Sequence, residues 1–145
     1  MKPATRLLVV LPWLLAGLLS FKKNKETGVW KEKQLYPPQV LAQRLNTNDT
    51  ANLLILNAGP VDNVKGALTF GAVETPRNLE KLSAFLQTVS RDKEIIIYCG
   101  CCPLSVCPNL QPAYDALHRM GFKNYKILRL VHELQEDWID KGYPM

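Results

Sequence analysis

The segment Glu94–Cys99 (EIIIYC) constrains the fold more than any other part of the chain. Three isoleucines and a tyrosine follow one another, without the polar alternation of a strand that has one face in water. Such a run is typical of a strand that is buried on both faces, as at the centre of a parallel sheet. We therefore expect this segment to be a central strand.

The rest of the chain from about residue 35 onwards alternates between apolar runs of strand length and segments of helical period. Further short strands are predicted at Leu53–Leu56, Ala67–Phe70 and Tyr125–Leu128. Helices are predicted at about residues 38–45, from about Asn78, around Tyr114 to Met120, and in a final stretch with Leu134 and Trp138. Strands joined by helical crossovers indicate an α/β fold with a mainly parallel central sheet and helices on both faces.

Charge is concentrated at the N-terminal end. Residues 1–34 carry seven basic and two acidic side chains, which accounts for the whole net charge of +5. Residues 35–145 carry eleven of each sign, so this part is neutral and lacks the basic surface that a phosphate backbone requires. The sequence therefore argues against nucleic acid as a partner.

The first twenty-one residues combine Lys2 and Arg6 with the uncharged run Leu7–Phe21. A basic start followed by an apolar stretch is the pattern of an export signal. We expect residues 1–21 to be a signal peptide or N-terminal membrane anchor, residues 22–34 a polar linker, and residues 35–145 the folded domain. This division predicts an exported or membrane-anchored protein, periplasmic if bacterial, that contacts the membrane through its N-terminal segment; the orientation stays open.

All four cysteines lie within nine positions, at Cys99, Cys101, Cys102 and Cys107. A thiolate near a helix N-terminus is a nucleophile for sulfur transfer. The C-x-x-C spacing of Cys99 and Cys102 also suits thiol–disulfide exchange, and four thiolates can hold a soft metal ion. Cys99 is the candidate nucleophile because it ends the central strand, where α/β sheets bind ligands. Cys101, Cys102 and Cys107 are then possible resolving or accessory thiols, and in the metal alternative all four are ligands.

The environment of the Cys99 sulfur is also predictable from this placement. The turn from Cys99 into a helix that starts near Asn109 offers unpaired backbone N–H groups. We expect the sulfur to be exposed at the edge of the sheet and ringed by these amides.

The order and spacing of five segments resemble the rhodanese family. They are the opening helix from Gln34 (QLYPPQVLAQRL), the step Lys65-Gly-Ala67, the strand end Ile97-Tyr-Cys99, the helix end and strand Met120–Leu128, and the closing helix Trp138–Pro144. The resemblance covers roughly residues 35–145. It implies a rhodanese-like fold and a sulfurtransferase that carries sulfur as a persulfide on Cys99. It also implies a small sulfur donor, a thiol acceptor and no cofactor.

The sequence departs from the family pattern around the expected site. Asn57 and Gly59 stand where members usually carry an Asp and an Arg, and Asn63 stands where they carry a His. The loop Gly100–Pro108 is longer than usual and contains neither Arg nor Lys, which disfavours an anionic donor such as thiosulfate. A redox or metal-binding module built on the four cysteines is the alternative.

Overall fold

A computed structural model describes residues 27–145. A 3-10 turn at Glu32–Gln34 comes first and a π-helical turn at Gln135–Ile139 comes last. The strands are β1 (Leu35–Tyr36), β2 (Leu53–Asn57), β3 (Ala67–Thr69), β4 (Glu94–Tyr98) and β5 (Tyr125–Leu128). The helices are α1 (Pro38–Asn46), α2 (Pro76–Gln87) and α3 (Leu110–Arg119). Helix α2 begins two residues before the predicted Asn78, with proline in the first turn, where its missing N–H is not needed.

The five strands form one sheet in the order β1-β5-β4-β2-β3, and every pair is parallel. Strand β4 lies at the centre, where Ile96 pairs with Ile55 of β2 on one side and with Lys126 of β5 on the other. The prediction of an α/β fold around a central strand at Glu94–Cys99 is confirmed, and the architecture is consistent with a rhodanese-like fold.

The side chains of β4 alternate between two apolar cores, as the two-residue period of a strand requires. Ile95 and Ile97 face the core that β4 forms with α2 and α3. Ile96 and Tyr98 face the core on the other side, formed with α1 and the C-terminal π-helical turn. Helices therefore cover both faces. The next residue, Cys99, continues this alternation and belongs to the core beside α2 and α3.

The structure differs from the sequence-based expectation just before the first helix. Trp30, in the expected linker, is buried, and its ring centroid lies 5.2 Å from that of Tyr114. Leu35 and Tyr36 form the edge strand β1, which the sequence pattern did not predict. Residues 27–34 therefore pack onto the domain, because the tryptophan of this polar segment buries its large apolar surface against α3.

Within residues 27–145, no helix combines the length and apolar character that a membrane crossing requires. The predicted signal peptide or anchor at residues 1–21 lies outside the described residues, as do residues 22–26 of the expected linker.

Candidate active site

The sulfur of Cys99 lies at the carboxyl end of the central strand. Cys99 follows Tyr98, the last residue of β4, and is 2% exposed. Gly59 packs against it so closely that a Cβ at position 59 would lie 2.7 Å from the Cys99 Sγ. The predicted exposure of this sulfur is wrong, because the close approach of Gly59 covers it.

Gly100 then turns the chain away from the sheet into the cysteine loop, residues 100–109. Its φ is +71°, and a Cβ at this position would lie 2.8 Å from the Cβ of Leu134. Its carbonyl accepts a hydrogen bond of 2.9 Å from the backbone N–H of Leu134. Both the backbone conformation and the available space require glycine here. The start of the cysteine loop is thereby tied to the C-terminal segment.

Leu104 anchors the middle of the cysteine loop. It is 2% exposed, and its backbone N–H donates a hydrogen bond of 3.1 Å to the carbonyl of Val131. Val106, two residues later, is 70% exposed. The cysteine loop therefore has a fixed centre and an exposed tip.

The structure brings together all four cysteines that the sequence singled out. Their Sγ atoms all lie within 4.8 Å of one another, and all four are free thiols. The Cys101 Sγ lies 3.1 Å from the Cys99 Sγ and 3.3 Å from the Cys102 Sγ. Cys101 is exposed, whereas Cys102 and Cys107 are half-buried. One buried sulfur is thus surrounded by three more accessible thiols.

Asn109, the residue before α3, contributes a polar contact to the buried sulfur. Its side chain is buried, and its Nδ2 lies 3.3 Å from the Cys99 Sγ and 3.8 Å from the Cys101 Sγ. Sequence reasoning placed a helix start here but assigned Asn109 no role at the site. The available signal was a carboxamide at the last position of the cysteine loop. It was not conclusive, because asparagine at a helix start often bonds to the backbone nearby.

The neighbours of Cys99 favour its thiolate form. A hydrogen bond from the Cys107 thiol contributes most, and bonds from the amide and thiol of Cys101 and from Asn109 add to it. Against the opposing effect of burial, these bonds lower the pKa of Cys99 from 9.0 to about 6. The prediction that backbone amides surround this sulfur is therefore wrong, because most of the hydrogen-bond donors to it are side chains.

The thiols of Cys101 and Cys107 stay protonated beside this anion. Burial, followed by the hydrogen bond to Cys99, raises the pKa of Cys101 to about 12. The hydrogen bond to Cys99, followed by burial, raises the pKa of Cys107. At neutral pH Cys99, Cys101 and Cys107 together therefore carry one negative charge, which lies on the Cys99 sulfur.

The residues that depart from the family pattern, Asn57, Gly59 and Asn63, are joined by hydrogen bonds next to Cys99. Asn57 is fully buried, and its Nδ2 donates to the Val61 carbonyl at 2.8 Å and to the Asn63 Oδ1 at 3.0 Å. Its Oδ1 accepts a hydrogen bond of 3.0 Å from the N–H of Gly59. Asn57 thus fixes the backbone that presses Gly59 against Cys99.

An open groove of about 520 Å³ runs beside the cysteine loop. Of the four cysteines, Cys101 lines this groove, together with Gly100 and Leu134. Its wall carries the acidic side chains Asp62 and Glu133, and none of the described residues that line it is basic. The groove therefore gives small molecules access to Cys101 in a negative environment.

Comparisons with known proteins bear on the fold. No protein-family model and no curated protein matches the chain. Among solved structures, the chain is similar to the Alr3790 protein from Anabaena sp., with a TM-score of 0.52 and 17% identity over 75% of this chain and 88% of that one. It is also similar to two cysteine variants of EanB, each in complex with hercynine, with a TM-score of 0.52, 18% identity and 85% of this chain covered.

The chain spans 28% of the length of those EanB chains. At these identities the similarities concern the fold alone. Fold and site together define an α/β domain with an all-parallel sheet and a cluster of four thiols at the carboxyl end of its central strand. This arrangement is compatible with cysteine-based sulfur chemistry and with metal binding.

Proposed function

We propose that the domain is a rhodanese-like sulfurtransferase that carries sulfur as a persulfide on Cys99. The observation that carries this proposal is the position of the Cys99 sulfur. It lies at the carboxyl end of β4, where parallel α/β sheets bind ligands, within hydrogen-bonding distance of Asn109.

The proposed loading step is a displacement at sulfur. The Cys99 thiolate attacks the terminal sulfur of a small donor persulfide, R–S–SH. A sulfur–sulfur bond to Cys99 forms, the bond within the donor breaks, and the donor leaves as the thiolate R–S⁻. The pKa of about 6 supports this step because Cys99 is ionised at neutral pH. The same low pKa makes Cys99 a good leaving group when the sulfur passes on.

The test is direct location of the transferred sulfur. The reduced protein is incubated with a low-molecular-weight persulfide, freed of excess donor and digested, and its peptides are examined by mass spectrometry. We expect added sulfur on Cys99 in the wild-type protein and no added sulfur in Cys99→Ser. Val106→Ala, at the exposed tip of the cysteine loop, is the matched control and should load as the wild type does. Equal loading of Cys99→Ser would overturn the proposal.

A second candidate function is supported by the mutual distances of the four sulfurs. Because all four Sγ atoms lie within 4.8 Å of one another, they could serve as a thiol–disulfide centre or hold a soft metal ion. Elemental analysis and a non-reducing peptide map of the isolated protein separate the candidates. Stoichiometric metal, or a disulfide within the cluster combined with failure to load sulfur, would favour the second function.

The cellular location is a separate proposal that depends on residues 1–21 alone. We propose export or membrane anchoring through this segment, because its basic start and apolar run resemble an export signal. Fusion of the full chain to a reporter that is active only outside the cytoplasm tests it. An inactive reporter on a well-expressed fusion would argue against export.

A further inference from the structure

On the basis of the proposed function, we propose that Cys101 is a second catalytic thiol, which takes the sulfur from Cys99 and passes it to an uncharged or cationic acceptor in the adjoining acidic groove. The inference follows from the different surroundings of the two sulfurs.

The sulfur of Cys99 is much less accessible than the sulfur of Cys101. Cys99 is 2% exposed and packs in the core beside α2 and α3, with Gly59 directly against its sulfur. Cys101 is exposed and lines the groove of about 520 Å³. The two Sγ atoms are 3.1 Å apart, so Cys101 stands between the buried sulfur and the groove.

The transfer between the two cysteines is balanced without an external oxidant or reductant. The Cys101 proton first moves to the terminal sulfur of the Cys99 persulfide anion, Cys99–S–S⁻, which gives the Cys101 thiolate and Cys99–S–SH. The Cys101 thiolate then attacks the terminal sulfur of Cys99–S–SH. The bond between that sulfur and Cys99 breaks, Cys99 leaves as the thiolate, and the product is Cys101–S–SH. The contacts from Asn109 and from the Cys107 thiol stabilise the departing Cys99 thiolate.

The second transfer takes place in the groove. An acceptor thiolate attacks the terminal sulfur of Cys101–S–SH, the bond to Cys101 breaks, and the acceptor leaves as a persulfide while Cys101 takes a proton from water. Asp62 and Glu133 line this groove, and none of its described lining residues is basic. A thiol with a second, negative group is repelled there, whereas a thiol with an ammonium group is attracted.

The first experiment separates loading from discharge. Cys101→Ser keeps a hydrogen-bond donor of similar size beside Cys99. After loading with the donor persulfide, it should hold sulfur on Cys99 as the wild type does, yet discharge to cysteamine at least about tenfold more slowly, since it lacks the exposed thiol that lines the groove. Val106→Ala should load and discharge like the wild type. Discharge of Cys101→Ser at the wild-type rate, or its failure to load, would overturn the relay.

A second measurement uses the unaltered chain and so does not depend on the folding of a variant. Wild-type protein loaded without an acceptor should carry added sulfur on both Cys99 and Cys101, resolved by fragmentation of the peptide. Release of hydrosulfide with formation of a Cys99–Cys101 disulfide would mean that Cys101 attacks the inner sulfur, and would overturn the relay. Loss of all loading in Cys99→Ser is expected; normal loading there would instead defeat the proposed function.

The acceptor class is tested with a pair of thiols of opposite charge. Discharge of the wild-type protein to cysteamine should be about three- to tenfold faster than to 3-mercaptopropionate at equal thiolate concentration, an effect typical of exposed charges in a cleft. The double variant Asp62→Asn with Glu133→Gln should reduce this preference, and added salt should weaken it. An unchanged preference in the double variant would overturn the assignment of the groove as the acceptor site.

Discussion

Asn109 holds its Nδ2 3.3 Å from the sulfur of Cys99. The orientation of its carboxamide is fixed from the other end, because its Oδ1 accepts a hydrogen bond of 3.0 Å from the backbone N–H of Glu74. An N–H group needs an acceptor, so the oxygen faces Glu74 and the NH₂ group faces the sulfur. Asn109 therefore presents a donor to Cys99 in a geometry that the backbone just before α2 helps to set.

Replacing this donor by a carboxylate should make Cys99 less reactive. In Asn109→Asp the oxygen that meets Glu74 is kept, while a negative group faces the thiolate and raises the pKa of Cys99. Alkylation of Cys99 by iodoacetamide at a pH slightly above 6 should slow by about three- to tenfold. Gln111→Glu, which adds the same charge at an exposed position of α3, should have little effect. Equal rates for Asn109→Asp and the wild type would contradict the assigned contact.

The pH dependence of this reactivity follows from the lowered pKa. Alkylation of Cys99 should be half-maximal at about pH 6 and should fall as the pH drops below this value. Because the folded-state pKa lies below the ordinary value of 9.0, ionisation of Cys99 also favours folding. That contribution to the free energy of unfolding is complete above pH 9 and disappears as the pH falls through 6. Peptide-resolved alkylation measures the midpoint, and a midpoint near 9 would contradict the structure.

Cys107 should matter most for that midpoint, since its thiol makes the largest contribution to the lowered pKa of Cys99. Cys107→Ala removes the donor and should move the alkylation midpoint of Cys99 to higher pH. Cys107→Ser keeps a hydroxyl donor and should move it less. If both variants titrated at the wild-type midpoint, the stabilisation of the Cys99 thiolate by Cys107 would be refuted.

Any side chain at position 59 should disturb the site. In Gly59→Ala the new Cβ would lie 2.5 Å from the carbonyl oxygen of Cys99 and 2.7 Å from its sulfur. We expect a loss of about 1–3 kcal/mol in the free energy of unfolding, typical of overpacking. Gly66→Ala is the comparison: its Cβ meets nothing within 4 Å, and only its φ of +79° opposes the change. Urea unfolding should show the larger loss for Gly59→Ala.

Trp30 tests whether residues 27–34 belong to the folded body. Truncation of this 7%-exposed side chain in Trp30→Ala should lower the free energy of unfolding by about 3–5 kcal/mol. Val29→Ala, at a residue that is 64% exposed, should change it by less than about 0.5 kcal/mol. If the two variants unfolded at the same urea concentration, Trp30 would not contribute to the core.

The central features of the fold were accessible from the sequence because they depend on local patterns. The continuous apolar run of β4 indicates a buried parallel strand, and the rule that ligands bind at carboxyl strand ends then selects Cys99. The meeting of the four cysteines was also predictable, since they are neighbours along the chain. Strand β1 was not, because two residues carry no periodicity of their own.

Features that depend on distant contacts could not be predicted in the same way. The burial of the Cys99 sulfur depends on the approach of Gly59, forty residues earlier in the chain. The orientation of Asn109 depends on Glu74, and the packing of Trp30 depends on Tyr114. A sequence pattern reports the neighbours of a residue along its own strand or helix, whereas these contacts arise only when separate elements pack.

The anchoring of Leu104 has a consequence for the thiols on either side of it. Because the side chain of Leu104 is buried and its backbone N–H is hydrogen-bonded, it divides the cysteine loop into two short segments. The first segment carries Cys101 and Cys102, and the second carries Cys107. A short segment held at both ends has few conformations available, so the thiols meet at an effective molarity far above that of the same peptide free in solution.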